Sequence, residues 1–529
     1  MKTCLVFPPQ LIPTSAPLGL ALLKSFIESG LNEKVKNIDL NLYFHNSVID
    51  NFLEGRFSLY SDKEKNQRSI ELIKKSSEIF KDKDNYGFFS PSVYNPCANE
   101  FLYLFENIFK ANKPLLKGFI EDKADLSQAL LPFTKEITKE KPDLVGFSIL
   151  TIEQIYYALA LAKKLKQDIN AKIVIGGAAA RLFPEKFLGY DFIDFVVKGD
   201  GEMALKGLLE GKNKEEINNL IYKKEGKMIS NKEQNIDINK MPFPDFSDFD
   251  LDDYFCPKRV ITTLTSRGCY WKRCTFCADY DALSMQYRTK EISRLIEELR
   301  FLKESYKTDY FYFADEMISP VMFKKISDGL IKEGLDIRYY TQLKPKDFDL
   351  ELLRNMKKSG CTALMWGVES ACQRILDLIN KGTNVTEIGD ILKRSNQAGI
   401  KNAVYAFGGF PTETEQEYNS TIEWLNENRA YIDIQFTGLF RLTKNSRIEK
   451  DLSGFKIASI NASDDAFNPA YDYGVKEGIS QQRSSELFDK NYTFFLGLNK
   501  FSPFLGKFRD HILVYFSENE ARNQPMHDS

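Results

Sequence analysis

Histidine is nearly absent from this chain of 529 residues: only His45, His511 and His527 occur, so a site demanding several imidazoles, such as a catalytic zinc centre, is poorly supplied. An excess of charge of either sign is absent as well. Lys and Arg (72) almost balance Asp and Glu (74), which leaves no field to gather polyanions and argues against nucleic acid as a partner. No apolar stretch approaches the roughly 18 residues of a membrane span. The apolar start Cys4 to Phe7 is cut by Pro8 and Pro9 before it could act as a signal-peptide core. These absences predict a cytoplasmic protein with no membrane span. Eight cysteines at this length make no disulfide framework, and Cys4, Cys97, Cys256, Cys361 and Cys372 are scattered.

What is present is globular, with 43% hydrophobic and 28% charged residues, and at roughly 150 residues per domain the length suggests about three domains. A strand at Thr3 to Phe7 is followed by a helical pattern from Pro17 to Ile27 and a second strand at Val35 to Leu40. The next strand comes only at Asp143 to Ile149. Between them, about residues 43–140 form an insertion with helical runs near Ile70 to Phe80, Glu100 to Phe109 and Leu126 to Ile137, and a turn-rich patch from Tyr86 to Pro96. It reads as a helical cap or a substrate lid. From Pro142, strands at Leu144 to Ile149, Lys172 to Ile175 and Phe192 to Val197 alternate with helices, which implies a parallel sheet with right-handed crossovers. The prediction for residues 1–210 is thus an α/β, doubly wound, flavodoxin-like (Rossmann-like) domain of five strands. Ligands in such sheets sit beyond the carboxyl ends of the strands, which singles out Ser148, Gly176, Gly177 and the turn Gly199, Asp200, Gly201, Glu202. Glycines there also serve as plain turn chemistry.

Residues 211–257, charged and then Pro-rich, read as a linker with a short hairpin around Glu225 and Gly226. Beyond it, strands at Val260 to Leu264, Tyr310 to Phe313, Tyr339 to Leu343, Ala363 to Trp366, Asn402 to Phe407 and Ile432 to Thr437 predict a partial (β/α)6 barrel over 258–441. A small C-terminal domain is expected at 442–529, its Phe494, Phe495, Phe504, Phe508, Tyr515 and Phe516 reading as a core face rather than a groove.

Immediately after the first barrel strand stands Ser266-Arg-Gly-Cys269-Tyr-Trp-Lys-Arg-Cys274-Thr-Phe-Cys277. Three thiolates on one short loop suit a [4Fe-4S] cluster whose fourth iron has no protein ligand. A closed zinc site would need a fourth ligand, for which Cys256, thirteen residues upstream, is the nearest candidate. Later strand ends carry further acids: Asp315 and Glu316, then Glu369 and Ser370, then Glu413 within Gly408-Gly-Phe-Pro-Thr-Glu413. Each acid also has a bland reading as a loop charge or a helix cap.

With these residues the sequence resembles the radical S-adenosylmethionine (SAM) enzymes, whose signature is three cysteines on the loop after the first barrel strand. The family usually has three residues between the first two cysteines and this chain has four; the second interval and the aromatic Phe276 match. The resemblance implies that Cys269, Cys274 and Cys277 hold a [4Fe-4S] cluster. It further implies that Phe276, Asp315 or Glu316, Glu369 and Ser370 contact SAM, with the acids on its amino group and its ribose or methionine moiety. The preceding domain, with Pro17-Leu-Gly-Leu-Ala21, Pro142-Asp-Leu-Val-Gly-Phe-Ser148 and its two glycine turns, is similar to the cobalamin-binding domain of the B12-dependent branch. On that likeness Ser148, Gly176, Gly177, Gly199, Asp200, Gly201 and Glu202 are expected at cobalamin. The Asp-x-His-x-x-Gly pattern of other cobalamin domains is missing, and His45 does not supply it, so the corrinoid is expected base-off without a histidine ligand. The resemblance spans about residues 1–42, 142–210 and 258–440. It implies methyl transfer to an unactivated carbon of a peptide or small molecule, with a flavodoxin or ferredoxin as reductant. Its rivals are a rearrangement or cyclisation with the same cofactors, and a non-catalytic corrinoid or iron-sulfur sensor.

Overall fold

Thr3-Cys-Leu-Val-Phe7 (β1) is apolar without a break and buried on both faces, the pattern of a strand inside a parallel sheet. The computed structural model describes residues 1–31, 33–82, 84, 86–278 and 286–523, with side chains to residue 519. Beside β1 lie β2 (Val35–Asp39) on one flank and β3 (Leu144–Ser148), β4 (Lys172–Gly176) and β5 (Phe195–Val197) on the other, all parallel. The order β2-β1-β3-β4-β5 is the doubly wound arrangement expected, and it places the switch in strand order between β1 and β3. Residues 211–257, read as a linker, contribute to this sheet. β6 (Leu220–Lys224) pairs antiparallel with β5 and with β7 (Lys227–Ser230), across a two-residue turn in which Glu225 and Gly226 both have positive φ (51° and 77°). The core under the sheet joins Leu5, Phe7, Leu20, Ile27, Leu144, Val174 and Tyr222.

The insertion is helical: Leu40–Leu53, Lys63–Lys81, Pro91–Ile120 and Ser127–Thr138. The long helix runs through part of the segment predicted to be turn-rich. Pro91 sits in its first turn, where a missing N–H costs nothing, and burial of Phe101, Leu104, Phe105 and Phe119 offsets the interior prolines Pro96 and Pro114. Lys163, on the helix Ile155–Asp168, caps the carbonyls of Phe119 and Ile120 at 2.9 Å each. The insertion is thereby tied to the α/β core of its own unit, residues 1–259.

The second unit, residues 260–529, is built on β8 (Val260–Thr263), β11 (Tyr310–Phe313), β12 (Arg338–Leu343), β13 (Cys361–Glu369), β14 (Lys401–Gly408) and β15 (Ile434–Leu439), all parallel and in sequence order. Two short strands, β9 (Ser266–Arg267) and β10 (Arg288–Thr289), form a separate ladder after β8. This is the partial six-stranded barrel predicted, with the six strands where the periodicity put them.

The segment from 442 onward, expected to stand as a third domain, is folded into this second unit, and its residues 524–529 lie outside the described residues. Its strands β16 (Leu442–Thr443), β17 (Ile457–Ala462) and β18 (Ala470–Val475) make a small antiparallel sheet. Leu442, Ile448, Ile457 and Tyr473 share one core with Ile375, Ile379, Phe410 and Phe440. Further on, the Tyr340 hydroxyl donates to Asp510 at 3.0 Å, the Arg509 guanidinium stacks 5.1 Å from the Tyr312 ring, and Gly506 meets Phe436 so closely that a Cβ would lie 1.9 Å from the ring. Phe495, Phe508, Tyr515 and Phe516 are buried, so these members of the aromatic set are core as read.

Glu413, just past β14, is 1% exposed and accepts the Gly409 N–H at 2.5 Å; burial pushes its pKa up from 4.5 to about 7. A carboxyl whose folded pKa is raised favours the fold below its unfolded pKa and loses that contribution as pH rises through the folded value. Thermal unfolding of the wild type should therefore show stability falling between pH 4.5 and 7, by up to about 3 kcal/mol from this group, and Glu413→Gln should flatten that slope.

Candidate functional site

The cysteine loop leaves the sheet at β8 and is closed at its neck by the β9–β10 ladder, in which Arg267 pairs with Arg288 and Ser266 with Thr289. Residues 279–285 within it lie outside the described residues. Cys269 pairs with Met317 as an isolated bridge, which ties the first thiol to the residues following β11. Around the second and third thiols, the Thr275 N–H donates to the Ile379 carbonyl at 2.8 Å and its hydroxyl to the Leu378 carbonyl at 2.9 Å. The Ile448 N–H donates to the Thr275 carbonyl at 3.1 Å. Trp271 Nε1 donates to the Asn380 carbonyl and Arg447 to the Lys272 carbonyl, each at 2.8 Å. Phe276 stands edge-on to Phe407 at 5.3 Å and packs on the core there. Cys269, Cys274 and Cys277 form no disulfide and are partly exposed, and burial raises the Cys274 thiol above its ordinary pKa.

The acids at the strand ends divide by what already holds them. Asp315 is fully buried and accepts from four donors of the segment entering the loop. The Thr265 amide (2.9 Å) and hydroxyl (2.8 Å) and the Ser266 amide (2.5 Å) and hydroxyl (2.6 Å) all reach its carboxylate. Burial keeps its pKa above the ordinary value, although those donors pull it down. Its oxygens are spent on the loop, whereas Glu316, the other acid of the pair named from the sequence, is half-buried. Glu369, with φ of 67°, forms a buried ion pair with Lys381. Burial alone would depress the Lys381 ammonium, but Glu369 and the Cys274 and Cys277 thiols hold its pKa above the ordinary value. Gly367 makes room for the pair, since a Cβ there would lie 2.5 Å from Lys381 Nζ and 2.6 Å from Glu369 Oε1. Ser370 is fully buried, and its hydroxyl accepts the Cys372 N–H at 3.1 Å and meets the Thr421 hydroxyl at 3.3 Å. It is engaged within the protein.

In the first unit, Ser148, Gly176 and Gly177 come together at the carboxyl edge. The Ile149 N–H donates to the Gly176 carbonyl at 2.9 Å, Gly177 has φ of 90° with no space for a Cβ (2.4 Å from the Ile149 carbonyl), and a Cβ on Gly19 would lie 3.7 Å from Ser148 Oγ. At the switch point Gln154, fully buried, donates to the Pro8 carbonyl at 2.6 Å and accepts from Leu150 at 2.8 Å, locking the loops after β1 and β3 together. The second turn is occupied differently. Asp200 accepts the Ile236 N–H at 2.9 Å while its carbonyl takes Asn219 at 2.7 Å, which holds the following segment to the sheet, and Glu202 is 3% exposed. Gly199 keeps a positive φ of 72° for the turn, and Gly201 stands before the helix Glu202–Leu209. His45 is fully buried, bonded through Nδ1 to the Asn41 carbonyl at 2.8 Å and stacked 4.2 Å from Phe105; burial lowers its pKa to about 3.

Comparison with known proteins gives these two edges a common context. The model of the radical SAM superfamily matches residues 263–425, and that of the B12 binding domain matches residues 118–209. One stretch of the chain thus matches the radical SAM superfamily and another the B12 binding domain. An uncharacterized methyltransferase of Pyrococcus horikoshii is 31% identical over 55% of the chain and 65% of the relative. The anaerobic magnesium-protoporphyrin IX monomethyl ester cyclase of Rubrivivax gelatinosus is 27% identical over 58% of the chain and 59% of the relative. The match thus spans less than two thirds of the length of either relative. Among solved structures, the radical SAM methyltransferase TsrM from Kitasatospora setae, with cobalamin and a [4Fe-4S] cluster bound, superposes with a TM-score of 0.58 at 16% identity, over 91% of this chain and 82% of that one. At that identity the likeness is one of fold.

The radical SAM unit offers donors of the right chemistry for its cofactors. Among the described residues no three His, Cys, Asp or Glu side chains converge on a point that would chelate a single metal ion. A cube asks instead for one thiolate on each of three irons, and the loop carries three cysteines for them. The B12-binding domain presents bare backbone at Gly19, Gly176 and Gly177, the surface a flat, bulky ligand needs, and His45 is walled into the insertion and not offered at that edge. Lys344 and Lys381, both close to Cys274, were not singled out from the sequence. Lys344 directly follows β12 and was readable by the strand-end rule; Lys381 follows a helix and carried no signal.

Asp315→Ala should strip four donors of their acceptor, lowering stability by at least about 3 kcal/mol in chemical denaturation and reducing iron uptake with it. Glu316→Gln should leave both unchanged and weaken SAM binding. Gly177→Ala, which drives a methyl into the Ile149 carbonyl, should diminish cobalamin uptake in a gel-filtration binding assay while the cluster loads normally.

Proposed function

We propose that this chain is a cobalamin-dependent radical SAM enzyme that transfers a methyl group to an unactivated carbon of a peptide or small molecule, with an external flavodoxin or ferredoxin as reductant. One observation carries the reading: a loop of three cysteines outside any disulfide, clamped at the carboxyl edge of a six-stranded parallel sheet, shares a chain with a region that matches the B12 binding domain. The relative named a methyltransferase supports the choice of reaction.

When bound, the cluster and SAM supply one-electron chemistry that opens a C–H bond, and cobalamin supplies a transferable methyl group. The chain's own part is placement. Cys269, Cys274 and Cys277 would hold three irons and leave the fourth for SAM. Glu316 would take the SAM ammonium, and Glu369, steadied by Lys381, would offer its second oxygen to a hydroxyl of the ribose. Phe276, locked against Phe407, would wall the site beside the last thiol. In the first unit the Ser148, Gly176 and Gly177 backbone would seat the corrinoid, while Asp200 acts by holding the turn that follows β5.

A second reading, a cyclisation or rearrangement without methyl transfer, is favoured by the likeness to a relative named a cyclase. The two separate by product mass. Anaerobically reconstituted protein with iron, sulfide, cobalamin, SAM and a low-potential reductant should yield 5′-deoxyadenosine and a product heavier by one methyl. A product with its carbon count unchanged would favour the second reading, and no SAM turnover at all would favour a sensor. Cys274→Ala should lose iron, sulfide and every trace of SAM cleavage.

A further inference from the structure

Lys344 is 1% exposed, and among the described residues its ammonium has no hydrogen-bond partner. Among the described residues it makes no ion pair, whereas Lys381, near the same Cys274 thiol, is paired with Glu369 and its charge is cancelled. Two neighbours of Lys344 come from the cysteine loop. Its Nζ lies 3.3 Å from the centre of a Trp271 ring and 5.2 Å from that of Tyr270, and its backbone N–H donates to Met317 Sδ at 3.0 Å, the residue bridged to Cys269. Trp271 is fixed in turn, its Nε1 on the Asn380 carbonyl and its ring against Gly382, where a Cβ would lie 2.3 Å away. An unpaired ammonium is costly to bury, and two aromatic faces repay only part of that cost. The arrangement is complete only with an anion beside it, and the thiol loop is where that anion would form.

We propose that Lys344 is a positioning charge for the cluster: seated on Trp271 and Tyr270, it favours the reduced, more negative state of an iron-sulfur cube held by Cys269, Cys274 and Cys277. The inference rests on the cluster reading above.

The test is an EPR-monitored redox titration of the full-length reconstituted protein without SAM, comparing wild type, Lys344→Met, Lys344→Arg and Trp271→Leu. Lys344→Met should keep iron and sulfide at wild-type content and disfavour reduction about tenfold, a midpoint about 59 mV more negative for one electron. Lys344→Arg should stay near wild type, and Trp271→Leu should shift the same way by less. An unchanged midpoint in Lys344→Met with full iron would overturn the proposal, as would a defect confined to SAM affinity, which would assign the ammonium to the SAM carboxylate. Loss of iron from both Lys344→Met and Trp271→Leu would also overturn it, making the contact one of cluster retention. A wild type that takes up no iron would instead sink the cluster reading itself.

Discussion

Three thiols must face one way before anything binds them, and nothing in a flexible loop provides that. In this chain the requirement is met chiefly by Asp315, whose buried carboxylate draws in both donors of Thr265 and of Ser266 just upstream of Cys269. Four charge-assisted hydrogen bonds in a dry setting are strong because the alternative, unmatched donors and an unmatched anion, is so costly. The Cys269–Met317 bridge and the Thr275 contacts then fix the rest of the loop from the other side. The radical SAM edge is placed relative to this clamp.

The same reasoning divides the two kinds of acid that stand at strand ends. A carboxylate there can face a ligand or can hold the loop that does, and the sequence writes both alike. Asp315 holds the loop, and Glu369 is half committed to Lys381. Asp200 plays the same holding part as Asp315 in the other unit, spent on the Ile236 amide. The candidates for ligand contact are then a smaller set than strand position alone suggested: Glu316, one side of Glu369, and the bare backbone around Gly176 and Gly177.

Much of the fold was legible because its signals are local. An unbroken apolar run marked β1, short strand-like segments alternating with helical ones marked β3 and the six strands of the second sheet, and the spacing of Cys269, Cys274 and Cys277 marked the loop. Partnerships between distant residues were not legible. Nothing in Asn380-Lys381-Gly382 announces that the lysine will reach Glu369, and nothing in residues 220–230 tells a linker hairpin from one that lengthens a sheet. The long helix Pro91–Ile120 was obscured for a different reason: its prolines read as breaks, while the tertiary burial that overrides them is set by residues elsewhere. The fate of residues 442 onward was hidden likewise, since an aromatic-rich segment looks the same whether it closes its own core or another's.

That last arrangement bears on how the second unit folds. Gly506, Arg509 and Asp510 floor strands that precede them by some 70 to 200 residues in the chain, reaching Phe436, Tyr312 and Tyr340. Contacts of such high sequence separation must close a long loop before they return any stabilisation, so their formation belongs to the slow end of assembly. Until then the inner tyrosines of the sheet are unsheathed, an interval in which the protein is most open to aggregation and to dependence on chaperones.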